Sequence, residues 1–311
     1  MPSRRHISMR FGAVDVGSNS VRCLAVEWSK GTLARIDSTV DITRLSMGVS
    51  KGAFSILPES LERTREAVSK AADFLRGHGV SSGNMSLFAT EGMRAAQNWR
   101  EAAVSLESAA GVPLELLSGR DEGGLSREGA LLGLGDPGMA VFDLGGGSLE
   151  IATPTDNVSL PLGAVRMTGL FGEDHDRIIA HSMSTIQQAG VVSGAPLAGV
   201  GGASSSVAMM LSHIPVEDYA PGLIHAKLVS TGDLQTLERS LRKLPVSERA
   251  KETTGLEPGR ADIIVAGICV LEAVLSCWGA VNYTHSETGL LWGRCARLAR
   301  AMGLAVARVE L

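Results

Sequence analysis

The stretch MAVFDLGGGSLE, residues 139–150, repeats a pattern that the chain also has in RFGAVDVGSNSVR, residues 10–22. In both, an apolar run typical of a β-strand ends in an aspartate and one further apolar residue, and a glycine-led polar turn follows. Further strand-like runs predict a three-stranded meander with a polar loop at its first corner. The repetition indicates two similarly built domains that face one another.

Helical and strand patterns alternate around these meanders. Apolar residues have helical spacing in 57–79, 121–135 and 231–243, and strands are expected at 84–90 and 196–201. The sequence therefore predicts an α/β fold with two mixed sheets, joined by a helical connection near residues 120–138 rather than by a flexible linker.

Composition limits the classes of partner and location. The net charge of −4 argues against nucleic acid, and four cysteines without a CxxC pair favour a reducing, cytoplasmic compartment. The apolar run 263–281 has the length of a membrane span, but Glu272 in its middle favours a buried core helix and no membrane contact. Of seven histidines without zinc-like spacing, only His175 adjoins carboxylates, and a solvated loop is expected there.

Glycine-rich turns after strands expose backbone N–H groups to phosphate oxygens. The turns at 17–20 and 145–148 have this character, and a third, GVGGASSS at 199–206, opens a predicted helix. One such turn alone is more often structural, but its duplication behind an aspartate favours phosphate binding. Neither turn is followed by a Walker lysine, which excludes a P-loop enzyme.

Charged residues of both signs accompany these turns. Asp15, Asp143 and Glu150 offer oxygen ligands to a hard cation, and Arg94, Arg166 and Arg260 lie in or beside turns where they can neutralise phosphate. Each has an ordinary alternative, since a strand-end aspartate often caps a turn and an arginine usually faces solvent.

The ordered set of motifs, over about residues 9–295, resembles the exopolyphosphatase/guanosine pentaphosphate phosphatase (Ppx/GppA) family of the actin–sugar kinase–Hsp70 superfamily, in its short two-domain form. The matching motifs are DVGSNSVR (15–22), ATEGMR (89–94), SGRDEGG (118–124), FDLGGGSLE (142–150), GAVRMT (163–168), GVGGASSS (199–206) and GLEPGRAD (255–262). The resemblance implies two ribonuclease H-like, actin-like ATPase domains, 1–124 and 125–311, with the final helix able to pack back on the first.

The resemblance also implies hydrolysis, dependent on Mg²⁺ or Mn²⁺, of a terminal phosphate in an interdomain cleft. Glu122 would activate water, Glu150 would assist it, and Asp15, Asp143 and Glu150 would hold the metal. The implied phosphate-binding residues are Ser18, Asn19, Ser20, Arg94, Gly145, Gly146, Gly147, Ser148, Arg166 and Gly202.

The substrate stays open between inorganic polyphosphate, which is slightly favoured, and guanosine pentaphosphate. A non-catalytic sensor and a sugar or glycerol kinase are the alternatives from other classes, and a homodimer is also open. Two departures bear on activity: the family's EEA is Asp121-Glu122-Gly123, where paired glycines should loosen the helix, and its REGL is residues 287–290, ETGL.

Overall fold

The computed structural model describes residues 8–46, 54–192 and 194–311. Lobe I is built on a six-stranded sheet with the order β12-β3-β2-β1-β4-β5. Its strands are β1 (Met9–Val16), β2 (Ser20–Ser29), β3 (Thr32–Ile42), β4 (Met85–Ala89), β5 (Leu114–Leu116) and β12 (Arg308–Glu310). The predicted meander is confirmed, because β1, β2 and β3 pair antiparallel, and β4 joins β1 in parallel.

Lobe II repeats this topology. Its strands are β6 (Ala140–Leu144), β7 (Leu149–Ala152), β8 (Asn157–Leu160), β9 (Leu197–Val200), β10 (Leu228–Ser230) and β11 (Asn282–His285), in the order β10-β11-β9-β6-β7-β8. Again three consecutive strands pair antiparallel, and β9 lies parallel to the first of them. The duplication inferred from the two quoted stretches is therefore a duplication of sheet topology.

Eleven α-helices surround the sheets in the described ranges. They are α1 (Pro58–Gly77), α2 (Glu91–Arg94), α3 (Trp99–Ala110), α4 (Gly119–Leu134), α5 (Ala164–Phe171), α6 (His175–Ala189), α7 (Gly202–Ser212), α8 (Thr231–Leu241), α9 (Val246–Glu252), α10 (Ile264–Trp278) and α11 (Leu290–Ala301). The sequence patterns did not predict α5, α6 or α9.

The apolar segment 263–281 forms α10, the central helix of lobe II. Every residue from 264 to 275 is buried, in a core that also contains Phe142, Ile178 and Tyr283. This confirms the core-helix interpretation. Over the part of the chain that the structure describes, no helix combines the length and apolar character needed to cross a membrane.

The end of the chain returns to lobe I. Helix α11 packs on the first sheet through Trp292 and Cys295, in one cluster with Phe11 and Leu125, and β12 extends that sheet. The predicted domain boundary after residue 124 falls inside α4, which lies between α11 and the second sheet, and it stays a prediction.

Candidate active site

The glycine-led turns are hairpin tips with the same backbone closure. We call residues 17–20 loop 1 and residues 145–148 loop 2. In loop 1 the Gly17 N–H donates to the Ser20 carbonyl at 3.0 Å, and in loop 2 the Gly145 N–H donates to the Ser148 carbonyl at 3.0 Å. The two tips therefore present the same backbone shape.

Hydrogen bonds orient the peptide groups of loop 1. The Ser18 carbonyl accepts from the Ser46 N–H at 3.0 Å, and the Asn19 carbonyl accepts from the N–H groups of Thr43 and Arg44 at 3.0 and 2.9 Å. In a trans peptide the N–H points opposite to the carbonyl. The next two N–H groups, of Asn19 and Ser20, therefore point away from segment 43–46 and have no role in holding it.

Loop 2 is oriented in the same manner by the start of α5. The Gly145 and Gly146 carbonyls accept from the N–H groups of Ala164 and Arg166 at 3.0 and 3.1 Å, and the Gly147 carbonyl accepts from Arg166 Nε at 2.8 Å. The following N–H groups, from Gly146 to Ser148, therefore face away from α5. Three consecutive N–H groups on one side form an anion-binding concavity.

The two loops meet tip to tip across the space between the lobes. A Cβ placed on Gly146 would lie 3.1 Å from the Ser18 Cβ, so a side chain there would crowd loop 1. The third turn joins them through Gly201, where the φ of 96° disfavours any side chain and a Cβ would lie 2.5 Å from the Leu144 carbonyl oxygen. Helix α7 begins directly after it, with its positive dipole end at the same place.

A cavity between the lobes collects most of the predicted site residues. Those on its wall are Asp15, Ser18, Asn19, Ser20, Glu122, Asp143, Gly145, Gly146, Gly147, Ser148 and Gly202. Arg94, Arg166 and Glu150 do not line the wall but bond or pair with residues that do. Arg94 donates to Glu122 Oε2 at 3.1 Å and to the Leu117 carbonyl at 2.6 Å.

Four buried carboxyl groups converge on this cavity: Asp15, Glu122, Asp143 and Glu150. Asp143 lies directly opposite Glu150 in the β6–β7 pair and accepts from the Ser126 hydroxyl at 2.5 Å. Asp15 Oδ1 and Glu150 Oε2 are buried and find no hydrogen-bond partner among the described residues.

The crowding of these carboxyl groups changes their acidity. Burial, and then the charge of Glu150, raise the pKa of Glu122 well above its usual value, while Arg94 opposes the rise. Burial and then Asp143 raise the pKa of Glu150 to about 8. Burial also raises the pKa of Asp15, although Arg22 counteracts it. Arg22 pairs with Asp15 and Arg94 pairs with Glu122, so two guanidinium groups stand against four carboxyl groups.

A hard divalent cation fits this set of groups. The candidate ligands are carboxylate oxygens, which Mg²⁺ and Mn²⁺ prefer, and two of the oxygens are buried without a partner among the described residues. A cation would satisfy those oxygens and offset the burial and the like-charge repulsion that raise the pKa values. The residues present are therefore suitable for the metal that the family resemblance implies.

Two partly buried guanidinium groups also lie in the cavity wall. Arg22 lies in the quoted motif DVGSNSVR, but the sequence interpretation assigned it no role; it donates to Asp15 Oδ2 at 2.9 and 2.5 Å. Arg260 packs against Gly202 and donates to Glu257 at 2.9 Å. Burial, with Arg22 contributing, lowers the pKa of Arg260. Two cations close enough to repel each other beside N–H-rich loops form a site for an anion.

A further residue that the sequence interpretation missed is Glu91, in ATEGMR. Its carboxylate lines the cavity next to Gly147 and pairs with Arg166, and this ion pair connects lobe I to lobe II. A glutamate directly after a strand and turn does not by itself indicate a role in a binding site. Only the fold shows that it reaches loop 2.

Both departures from the family pattern are accommodated. Helix α4 runs unbroken through Gly123 and Gly124, so the expected loosening is wrong, and the Ser118 hydroxyl caps it by accepting from the Asp121 N–H at 3.1 Å. Glu287 accepts from the Tyr219 hydroxyl at 2.6 Å and bonds His285 Nε2 at 2.8 Å. A different local network thus stands where the family has an arginine and a glutamate.

Comparison with solved structures agrees with this fold. A solved Ppx/GppA family member from Aquifex aeolicus superimposes with a TM-score of 0.77 at 24% identity, covering 96% of this chain and 99% of that one. The predicted fold class, with two actin-like domains built on mixed sheets, is confirmed.

Sequence relatives lead to the same family. Exopolyphosphatase 1 of Mycobacterium leprae is 28% identical over 290 residues, covering 85% of this chain and 82% of that protein. An uncharacterized Streptomyces coelicolor protein is 37% identical over 170 residues, covering 52% of this chain, which spans about half (50%) of that relative's length. The model of the Ppx/GppA phosphatase family matches residues 25–297. The chain therefore belongs to the Ppx/GppA phosphatase family.

Proposed function

We propose that this protein releases terminal phosphate from inorganic polyphosphate. The observation that carries the proposal is the meeting of loops 1 and 2 over a cavity that also contains Arg22, Arg260 and Glu122. Its similarity to the Mycobacterium leprae exopolyphosphatase supports the same class of substrate. The reaction is attack of water on the terminal phosphorus and cleavage of the bridging P–O bond, which yields orthophosphate and a chain one phosphate shorter.

The loops and arginines hold the phosphates. N–H groups of both loops would bind non-bridging oxygens, and the two guanidinium groups would neutralise charge that neither loop can remove. Phosphoryl transfer passes through a loose, charge-spread transition state, so positioning and electrostatics provide most of the acceleration. The buried hairpins fix the positions and the partial charges of the binding groups before the substrate binds.

Glu122 is the proposed general base. It lines the cavity, and burial and the neighbouring carboxylates raise its pKa, which makes it a stronger base than an exposed glutamate. Arg94 holds Glu122 Oε2 and leaves the other carboxylate oxygen available to water. The proton of the attacking water passes to Glu122 as its oxygen bonds to phosphorus.

Asp15, Asp143 and Glu150 would hold Mg²⁺ or Mn²⁺. When bound, the cation supplies positive charge beside the reacting phosphate and the leaving oxygen. Ser126 and Ser159 orient two of the carboxylates, with bonds of 2.5 Å to Asp143 and 2.6 Å to Glu150.

Guanosine pentaphosphate is the second candidate substrate, because a groove that shares Arg22 and Arg260 with the cavity has a mixed lining. Trp292, Leu290 and Met209 are apolar, while Glu287 contributes a partly buried carboxylate. Burial raises the pKa of Glu287, but the hydrogen bond from His285 and the positive charge of that imidazole keep it below its usual value. A permanent negative charge repels a long phosphate chain but accepts bonds from the N–H groups of a base.

Orthophosphate release with Mg²⁺ from short polyphosphate, long polyphosphate and guanosine pentaphosphate would test the proposal. We expect release from polyphosphate by the wild type and its loss in Glu122→Gln. Release from guanosine pentaphosphate alone would favour the second candidate. Tight binding of either without turnover by the wild type would overturn both in favour of a sensor.

A further inference from the structure

A second cluster of metal-ligand types lies in lobe II, away from the cleft. It contains His175, Glu238 and Cys269, at the start of α6, in α8 and in α10. The expectation that His175 belongs to a solvated loop is wrong, because Asp174 caps α6 and makes His175 its first residue. His175 Nδ1 lies 3.4 Å from Glu238 Oε1 and 3.6 Å from Cys269 Sγ.

A fourth group, Glu272, gives an independent reason to expect a cation. It follows Cys269 by three residues, on the same face of α10, and is only 4% exposed. Its Oε1 is buried with no hydrogen-bond partner within the described residues. Glu272 acts electrostatically on the cluster: burial first, then Glu238 and Glu272, raise the pKa of the Cys269 thiol.

We propose that His175, Glu238 and Cys269 bind Zn²⁺, with Glu272 or a water molecule as the fourth ligand. Tetrahedral zinc has Zn–N and Zn–S bonds of about 2.0 and 2.3 Å, which separate ligand atoms by about 3.3–3.6 Å. The two distances from His175 Nδ1 already fall at these values. All three ligand atoms lie within 4.8 Å of one another, so the remaining Glu238–Cys269 edge closes by side-chain rotation.

The donor set selects the class of metal. A thiolate and an imidazole favour Zn²⁺ or Co²⁺ over Mg²⁺, which prefers oxygen ligands. The cleft offers oxygen ligands, which suit Mg²⁺, so the two sites would take different ions. Binding at the second site replaces the proton of the Cys269 thiol with the metal, and that proton passes to solvent.

The Arg242 guanidinium group would compete with a metal ion for Glu238. Arg242 Nη1 donates to Glu238 Oε1 at 3.1 Å, the same oxygen that faces His175. The Arg242 side chain is 46% exposed, so it can turn into solvent when the metal binds. The site would tie α6, α8 and α10 together and stabilise lobe II.

Cobalt absorption tests the site without reference to activity. Titration with Co²⁺ in the presence of Mg²⁺ should give a thiolate-to-cobalt charge-transfer band that saturates at one equivalent and disappears when Zn²⁺ is added. The band should be lost in Cys269→Ser and in His175→Ala, and retained in Cys277→Ser and Glu122→Gln. Arg242→Ala should bind Co²⁺ more tightly than the wild type.

Either of two results would overturn the proposal: no band in the wild type, or a band that persists in Cys269→Ser. Circular dichroism of each variant separates loss of metal from loss of fold, and His175→Ala keeps the test decisive if Cys269→Ser does not fold. A merely structural His175–Glu238 ion pair predicts no band and no rise in Tm with Zn²⁺.

Discussion

Arg22 and Glu150 occupy equivalent positions in the two hairpins. Asp15 faces Arg22 across the β1–β2 pair, and Asp143 faces Glu150 across the β6–β7 pair. The duplicated framework therefore carries opposite charges at one position. In the proposed reaction, Arg22 of lobe I would face the substrate phosphates and Glu150 of lobe II would hold the metal, so the two halves would divide the chemistry.

Glu122→Gln should lower kcat by about 100- to 10,000-fold, the usual contribution of a general base, with little change in KM. The amide keeps the shape and the hydrogen bond from Arg94 but does not accept a proton. Steady-state phosphate release measures this. Glu101→Gln, on the exposed surface of α3, is the control and should keep wild-type rates. Equal loss in both variants, or none in Glu122→Gln, would remove Glu122 from the role of base.

Arg260→Lys should raise KM about tenfold, equivalent to about 1.4 kcal/mol of binding free energy, and change kcat less. Lysine keeps the charge but loses the planar fork that binds two phosphate oxygens. Arg65→Lys is the matched control, because Arg65 forms an exposed pair with Glu62 on α1. An unchanged KM for Arg260→Lys would show that this guanidinium does not contact substrate.

The free energy of unfolding of the metal-free protein should fall as pH rises from about 4.5 to about 8. Glu150 has its pKa raised to about 8 in the folded protein from 4.5. The folded state therefore holds a proton that the unfolded state releases, and this stabilisation is lost as pH rises through the folded pKa. Urea denaturation at several pH values across this range measures the free energy of unfolding. That free energy should fall less steeply with pH in Glu150→Gln than in the wild type or Glu101→Gln. Equal slopes would contradict the raised pKa.

Gly293→Ala should destabilise the protein by about 1–3 kcal/mol, the usual cost of overpacking. A Cβ at Gly293 would lie 2.0 Å from the Leu125 carbonyl, where α11 crosses α4. Gly77→Ala is the control, since a Cβ there meets nothing within 4 Å. Thermal unfolding of both variants measures the difference, and similar Tm values would contradict the close helix crossing.

The backbone of the site could be predicted from the sequence, because the patterns that indicate it lie within short stretches of the chain. Loops 1 and 2 follow from glycine-led turns behind apolar strands, and strand alternation predicts both sheets. The approach of Arg22 to Arg260, and of His175 to Cys269, depends on how distant elements pack, which no local pattern encodes. Helices α5 and α9 have only 8 and 7 residues, too few to show a clear helical period, whereas α6 was missed although Ile179, Met183 and Ile186 have helical spacing.

The most direct measurement of the central claim is a crystal structure of Glu122→Gln with tripolyphosphate and Mg²⁺. We expect phosphate oxygens within hydrogen-bond distance of N–H groups from both loops, with the substituted side chain at position 122 beside the terminal phosphorus, on the side opposite the bridging oxygen. Phosphates bound to one loop only, or bound with residue 122 remote from the terminal phosphorus, would contradict it.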